Sequence, residues 1–544
     1  MLTKIIAIIL AALSAIFSVF GISISKGEYC FEINCENTGK TVGNMVSTVN
    51  LWEMGKTFYD PQVNEEYGLD FVEYFQLMQA TGGNYERDLF KDPYNTEVLD
   101  DYDFERLIKN CEGILSLGKK PWIKIGNVPM KYSKNARTAG MGCNLLPPDD
   151  YDVYYNYLVA IFQALVNEFG QDEVLKWRFT AFTEFENSDW FACETAEQSA
   201  EHTCKMYDYI VDALEKTVGE DVYIGAHAMA VIEGGWDEAI FIEHCANGTN
   251  YKTGKKGTRL CFLSASYYED CPGVVGKRKT LAETINYLRT TALKYGLDNL
   301  DYGVDEGRVL NGTEKGSNEY SLVSRTVGYI WQAGFDANIY GLMLDNDIDW
   351  FSHWDYYSDG VLNGNPTLSY HISSLISRFK GSKLLNVNSA KTGYINNAVV
   401  KAYSAFDEKE NTLRIMAYNY KNSLKYSESA KVKLDICAPQ FSGETVNVTE
   451  YVIDDDCNYF DEWLEDREEY GIDSTCFSWS PQCPCIGCTL VDANAKSLYE
   501  TKLRAKYSQY CRLTPKSYTL PIENGKISID ASIGANNVVF YEIG

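Results

Sequence analysis

Basic charge is scarce in this chain: 49 Lys and Arg stand against 76 Asp and Glu, a formal net charge of −27. No extended run of Lys and Arg relieves that balance, and a polyanionic partner needs one, so nucleic acid is excluded and a highly acidic polysaccharide disfavoured. Histidine is rarer still. Any His-based metal site or Ser-His-Asp triad would have to draw on His202, His227, His244, His353 or His371, and neither H-E-x-x-H nor G-x-S-x-G surrounds them. No metal or organic cofactor is implied. Apolar runs long enough to span a membrane are missing after residue 20.

The apolar run that does exist, Ile5 to Phe20, follows Met1-Leu2-Thr3-Lys4 and precedes the small residues Gly21-Ile22-Ser23. One positive charge before a short hydrophobic core predicts a secretory signal over residues 1–23, with an uncleaved anchor as the alternative. A secreted, extracellular protein follows, with no further membrane association. All 16 cysteines lie beyond that segment, and an even count in an exported chain predicts disulfides. Cys30 and Cys35 could close a small loop, and Cys483, Cys485 and Cys488 crowd near Cys476 and Cys511. Their spacing lacks the paired C-x-x-C repeat of a thiolate zinc site. Asn247, Asn311 and Asn447 head glycosylation sequons, relevant only in a eukaryotic host.

What is abundant is apolar and aromatic: 45% and 14% of residues, led by 40 tyrosines, a composition with ample material for a core. From about Val42 to about Leu385 short apolar strands alternate with amphipathic helices, the pattern of βα units on a parallel sheet. Eight candidate strands are Gly43–Val49, Asn84–Arg87, Trp122–Ile125, Trp177–Thr183, Val222–Ala226, Leu260–Ser264, Asp301–Asp305 and Ile339–Leu344. Helical periodicity is clearest in Phe104, Leu107, Ile108, Cys111, Ile114 and Leu115, and in Leu158, Ile161, Phe162, Leu165, Val166 and Phe169. Eight such units close into a (β/α)₈ TIM barrel over residues 24–385, within the α/β class. Beyond it, period-2 runs such as Val399-Val400-Lys401-Ala402-Tyr403 predict a β-sandwich over 386–544. A Cys-rich insertion from Asp454 to Cys511 interrupts it, with disulfides expected to replace a hydrophobic core there.

Two carboxylates close two of the barrel strands: Glu184 after the fourth and Glu306 after the seventh, on the C-terminal face where barrel enzymes gather their reactive groups. Glycosidic cleavage needs such a pair, one acid to protonate the leaving oxygen and one carboxylate to attack the anomeric carbon. Glu186 is the alternative to Glu184 if the strand register slips by two. Asp305 rivals Glu306, because strict strand alternation points the two in opposite directions and only one can face the mouth. Arg87 could hold a catalytic carboxylate ionised by bidentate pairing, or make a surface ion pair. His227, near the end of the fifth strand, is a possible substrate contact.

Several segments resemble glycoside hydrolase family 39, the β-xylosidases and α-iduronidases of the retaining barrel clan. Gly118 to Met130 is similar to that family's third strand and Trp177 to Glu184 to its fourth. Tyr451-Val452-Ile453-Asp454-Asp455 with Asn458 and Trp463 is similar to its sandwich segment. The resemblance implies Glu184 as acid/base, Glu306 as nucleophile and Tyr268 as the tyrosine that hydrogen-bonds it. It also marks departures. Thr183 and Phe185 stand where the family has Asn and Pro around the acid, Ser266 where it has His, and the eighth-strand region Leu342 to Asp347 lacks its sugar-flooring Trp. Thr183 would replace the Asn as donor to the sugar, and Trp350 or Trp354 would supply the floor. The expected function is a secreted retaining hydrolase acting on an oligosaccharide, polysaccharide or glycoside. The alternative is a non-catalytic carbohydrate-binding or surface protein on a degenerate barrel. No signal of oligomeric state is present.

Overall fold

The computed structural model describes residues 27–54, 68–231, 234–269, 272–274, 278–309, 328–353, 364–392, 397–476 and 492–544. The expected signal segment and Cys483, Cys485 and Cys488 lie outside them, as do the side chains of Cys35 and His227.

The first strand, β1 (Glu28–Thr41), does not enter the barrel. Eight parallel strands then close on themselves in chain order: β2 (Thr48–Leu51), β3 (Tyr74–Leu77), β4 (Lys120–Ile125), β5 (Arg178–Ala181), β6 (Tyr223–Met229), β7 (Phe262–Glu269), β8 (Asp301–Val309) and β9 (Trp350–His353). Val49 opposite His353 joins β2 to β9 and removes both sheet edges. The surrounding helices include α1 (Glu105–Ser116), α2 (Tyr151–Phe169), α3 (Ala196–Thr217), α4 (Ala239–Asn247), α5 (Leu281–Lys294), α6 (Trp331–Asn346) and α7 (Leu368–Ser377). Helix α2 begins where the Asp150 carboxylate accepts from the N–H groups of Asp152 and Val153. It buries Leu158, Ile161, Phe162 and Leu165, the stripe its periodicity predicts. A reciprocal Thr280 and Glu283 capping box starts α5.

Two of the eight expected strands are misplaced and one is shifted. Asn84–Arg87 is loop, and the second strand is Tyr74–Leu77. Ile339–Leu344 lies inside α6, and the eighth strand is Trp350–His353. The error has a physical origin: Ala337, Ile339, Tyr340, Gly341, Met343 and Leu344 are all buried, and a helix covered on every side shows no 3.6-residue periodicity to mark it. The first strand starts at Thr48, not Gly43.

The barrel floor is a layer of rings. Trp122 meets Trp350 at 5.3 Å and Phe262 at 5.5 Å between centroids, and the Arg178 guanidinium lies over Tyr74, Trp122, Tyr223 and Trp350 at 4.3 to 5.5 Å. Gly303 is required here, since a Cβ on it would fall 2.1 Å from the Trp350 indole.

The second unit is one nine-stranded sheet, adding β10 (Lys383–Thr392), β11 (Val399–Asp407), β12 (Thr412–Tyr420), β13 (Ala430–Cys437), β14 (Thr445–Ile453), β15 (Lys516–Pro521), β16 (Lys526–Ile533) and β17 (Val538–Ile543). Its order is β15-β14-β17-β12-β11-β10-β1-β13-β16. Phe31, Ile415, Leu434, Val448, Ile527 and Ile543, from both wings, share one core, so the sheet curls into a sandwich. Strand β1 sits between β10, antiparallel, and β13, parallel. The chain therefore starts this unit, leaves it to build the barrel, and returns, which corrects the assignment of residues 28–41 to the barrel.

The Cys-rich insertion has an apolar core of its own, in which Tyr459, Phe460, Trp463, Ile472, Tyr499, Leu503, Tyr507 and Cys511 are buried. The expectation that disulfides replace a core there is corrected accordingly. Among the described cysteines, Cys111, Cys204, Cys245 and Cys511 serve as small apolar residues in packed clusters. Among the described residues, no helix is long and apolar enough to cross a membrane.

Candidate active site

Glu184 sits three residues beyond β5, on a turn whose backbone is left-handed twice, at Phe182 (φ 69°) and at Glu184 itself (φ 45°). Such angles cost a non-glycine residue about 1–3 kcal/mol each and persist only where surroundings impose them. Here the Phe182 N–H donates to the Ile125 carbonyl at 2.9 Å and the Asn187 N–H to the Glu184 carbonyl at 2.7 Å. Phe185 stacks on Phe182 at 4.1 Å and on Phe191 at 4.6 Å, both nearly parallel.

The turn aims the Glu184 carboxyl at Asn187, whose Nδ2 donates to Oε2 at 3.0 Å, and at the Ser266 hydroxyl on β7. Burial and then the negative charge of Glu306 push its titration up to about 7, against the lowering effect of those two hydrogen bonds. Near neutral pH the group therefore holds a proton much of the time.

Glu306 reaches the same space by a bulge. Strands β7 and β8 pair Ala265 with Val304 and then Ser266 with Glu306, so Asp305 is the extra residue. Strict alternation would have placed Asp305 and Glu306 on opposite faces, and the bulge removes that exclusion. Asp305 is fully buried, accepts from Trp350 Nε1 at 2.9 Å, and its backbone carbonyl takes the Asn50 amide. Glu306 is partly accessible and accepts from the Tyr268 hydroxyl at 2.8 Å. Glu184, Glu306, Tyr268 and Ser266 thus converge at the C-terminal mouth.

Other expected site residues lie elsewhere. Thr183 is 1% exposed and offers no open hydroxyl to the cleft. Arg87 lies over the Trp52 ring at 4.4 Å and 3.9 Å from Glu53, the surface pairing rather than a clamp on Glu184 or Glu306. Trp350 begins β9 at the opposite end of the barrel from the mouth and is 1% exposed among Trp122 and Phe262, so it cannot floor a sugar site. Trp354 and the side chain of His227 fall outside the described residues. Sequence reasoning missed Asn187 and Ser266 as partners of Glu184. Asn187 could have been found from its i+3 spacing in a turn, whereas Ser266 is brought opposite Glu306 only by the bulge in β8. Among the described residues no group of three His, Cys, Asp or Glu is set to hold a metal ion.

The profile described as Glycosyl hydrolases family 39 matches residues 63–290, which include Glu184 and Tyr268. The chain is glycoside hydrolase family 39-like. A beta-xylosidase of Caldicellulosiruptor saccharolyticus is 23% identical over 271 residues, 49% of this chain and 52% of that protein. One of Geobacillus stearothermophilus is 25% identical over 187 residues, 34% of this chain and 35% of that protein. The family 39-like chain thus spans about half, or less, of the length of these curated relatives. Among solved structures, a bacterial orthologue of human α-L-iduronidase superposes with a TM-score of 0.65 at 12% identity, over 95% of this chain and 84% of that one. A monomeric beta-xylosidase from Caulobacter crescentus CB15 gives 0.62 at 13%, over 94% and 99%. At such identities the likeness establishes the shared barrel and sheet architecture.

Proposed function

We propose that this protein is an extracellular retaining glycoside hydrolase that cleaves O-glycosidic bonds by double displacement between two glutamates. The carrying observation is the unequal carboxyl pair at one mouth: Glu184 raised to about 7 beside Glu306, which Tyr268 holds by a hydrogen bond. Two carboxyl groups whose environments drive their protonation apart divide the labour of acid and nucleophile. Glu184 gives its proton to the leaving oxygen while Glu306 attacks the anomeric carbon, forming a glycosyl ester. Glu184, now ionised, takes a proton from water, which releases the sugar and restores both groups.

Relatives named as beta-xylosidases make a β-xyloside the first substrate to try. Thr183, buried in place of the family's sugar-binding Asn, and Ser266, in place of its His, favour a substrate other than a plain xyloside. The same departures support a second reading, a barrel that binds carbohydrate without cleaving it. Incubation with a panel of activated 2-deoxy-2-fluoro glycosides, followed by peptide mass mapping, separates the two. A sugar adduct on Glu306 supports the hydrolase and names its sugar. Absence of any adduct, with binding retained on a glycan array, supports the binder.

A further inference from the structure

Two residues beyond Glu184, the Glu186 side chain is 2% exposed and its Oε1 accepts from the Ala230 N–H at 2.7 Å, on the loop that follows β6. Its carboxyl also lies within hydrogen-bonding reach of that of Glu238, which is 4% exposed at the start of α4. Two carboxyl groups form a hydrogen bond only with a proton between them. The proton belongs to Glu238. Among the described residues its Oε1 is buried with no hydrogen-bond partner, which a neutral acid tolerates far better than a carboxylate, whereas Glu186 Oε1 already accepts from the Ala230 N–H. Burial, then the charge of Glu186, push Glu238 up to about 8.

The same two loops are joined elsewhere along this seam. The Gly235 N–H donates to the Glu186 carbonyl at 2.5 Å and Trp236 Nε1 to the Phe185 carbonyl at 3.3 Å. Gly234 passes so close that a Cβ would lie 2.5 Å from Glu186 Cγ, so no side chain fits there. The segment so held, Phe185-Glu186, directly follows Glu184 and its left-handed backbone. The titratable groups facing the pair are Glu184 on the same turn, Asp237 beside Glu238, and Tyr287 of α5, whose hydroxyl donates to Asp237.

We propose that Glu186 and protonated Glu238 form a one-proton carboxyl clasp that fixes the Glu184 turn, making both of them positioning residues for glycoside cleavage. The inference rests on the two-glutamate reading of the site. When Glu238 ionises, two buried carboxylates face each other and the clasp opens, so Glu184 loses its orientation in addition to its proton.

The test compares wild type, Glu238→Gln and Glu238→Ala by kcat/KM against pH on an unactivated glycoside, and by thermal midpoint against pH. In wild type the logarithm of kcat/KM falls with slope −1 above about 7, as Glu184 deprotonates, and steepens to −2 above about 8. The Gln amide keeps donating to Glu186, so its slope stays at −1. The Ala variant loses about tenfold to a hundredfold in kcat at pH 6 with little change in KM, as a misaligned acid would, and Gln restores it. A steep limb retained in Glu238→Gln, or an Ala variant indistinguishable from wild type, overturns the proposal. The thermal arm needs no turnover. Glu238 keeps its proton in the folded chain up to about 8 and loses it in the unfolded chain far lower, so wild-type stability declines with pH across that window, and Glu238→Gln lacks this part of the decline. Superimposed midpoint curves refute the clasp. Distinct curves with no glycoside turned over leave the clasp standing and remove the hydrolase reading.

Discussion

Replacing Glu184 by Gln should make the protein more stable at pH 8 while abolishing turnover. The folded chain holds the Glu184 proton up to about 7, against a usual carboxyl value of 4.5. The unfolded chain has already released it over that interval, so fewer protons are bound on unfolding and stability declines as pH rises from about 4.5 to 7. At 1.36 kcal/mol per pH unit the full decline is about 3 kcal/mol. Glutamine is neutral throughout, keeps an oxygen for the Asn187 amide, and brings no charge up to Glu306. Glu184→Gln should therefore exceed wild type by up to about 3 kcal/mol at pH 8, with the gap closing toward pH 4.5. Urea unfolding followed by tryptophan fluorescence at pH 4.5, 6, 7 and 8 measures it. A gap that does not vary with pH, or a variant less stable at pH 8, would falsify the account of why this carboxyl is raised.

Three other outcomes follow from the geometry. Tyr268→Phe removes the 2.8 Å donor to Glu306 and should lower kcat/KM by roughly tenfold to a hundredfold, the worth of a hydrogen bond to a charged group; steady-state kinetics with an unchanged fold by circular dichroism checks it. Activity on an unactivated glycoside should be lost as pH rises through about 7, because the acid must be protonated, whereas hydrolysis with a leaving group that needs no proton should keep its rate in the first step; identical profiles for both leaving groups would count against Glu184 as the acid. Trp350→Ala opens a cavity between Trp122 and Phe262 and should cost about 3–5 kcal/mol of stability, seen as a lower unfolding midpoint at every pH.

Local pattern carried the larger features. Amphipathic stripes such as Leu158, Ile161, Phe162 and Leu165 and the strands Trp122–Ile125 and Asp301–Asp305 were legible because each depends on residues within one element. The two carboxylates were legible as positions close to the fourth and seventh barrel strands, although Glu184 lies three residues beyond β5 and Glu306 lies within β8. Helix α6 was not, since a segment wrapped by the barrel and by the curled sheet carries no polar face to declare its period.

What the sequence alone determined was the class of the fold, an α/β barrel followed by an all-β unit, and Glu184 and Glu306 as the pair to examine. Tertiary structure decided the rest. It put β1 into the second sheet, because strand pairing with β10 and β13 joins residues some 350 to 400 positions apart, and no local pattern encodes such a choice. It set Glu306 at the mouth through a bulge that one sequence position cannot announce. It buried Trp350 in the floor, and it joined Glu186 to Glu238 across two loops. Composition and periodicity act within an element, whereas register, burial and protonation arise where separate elements meet.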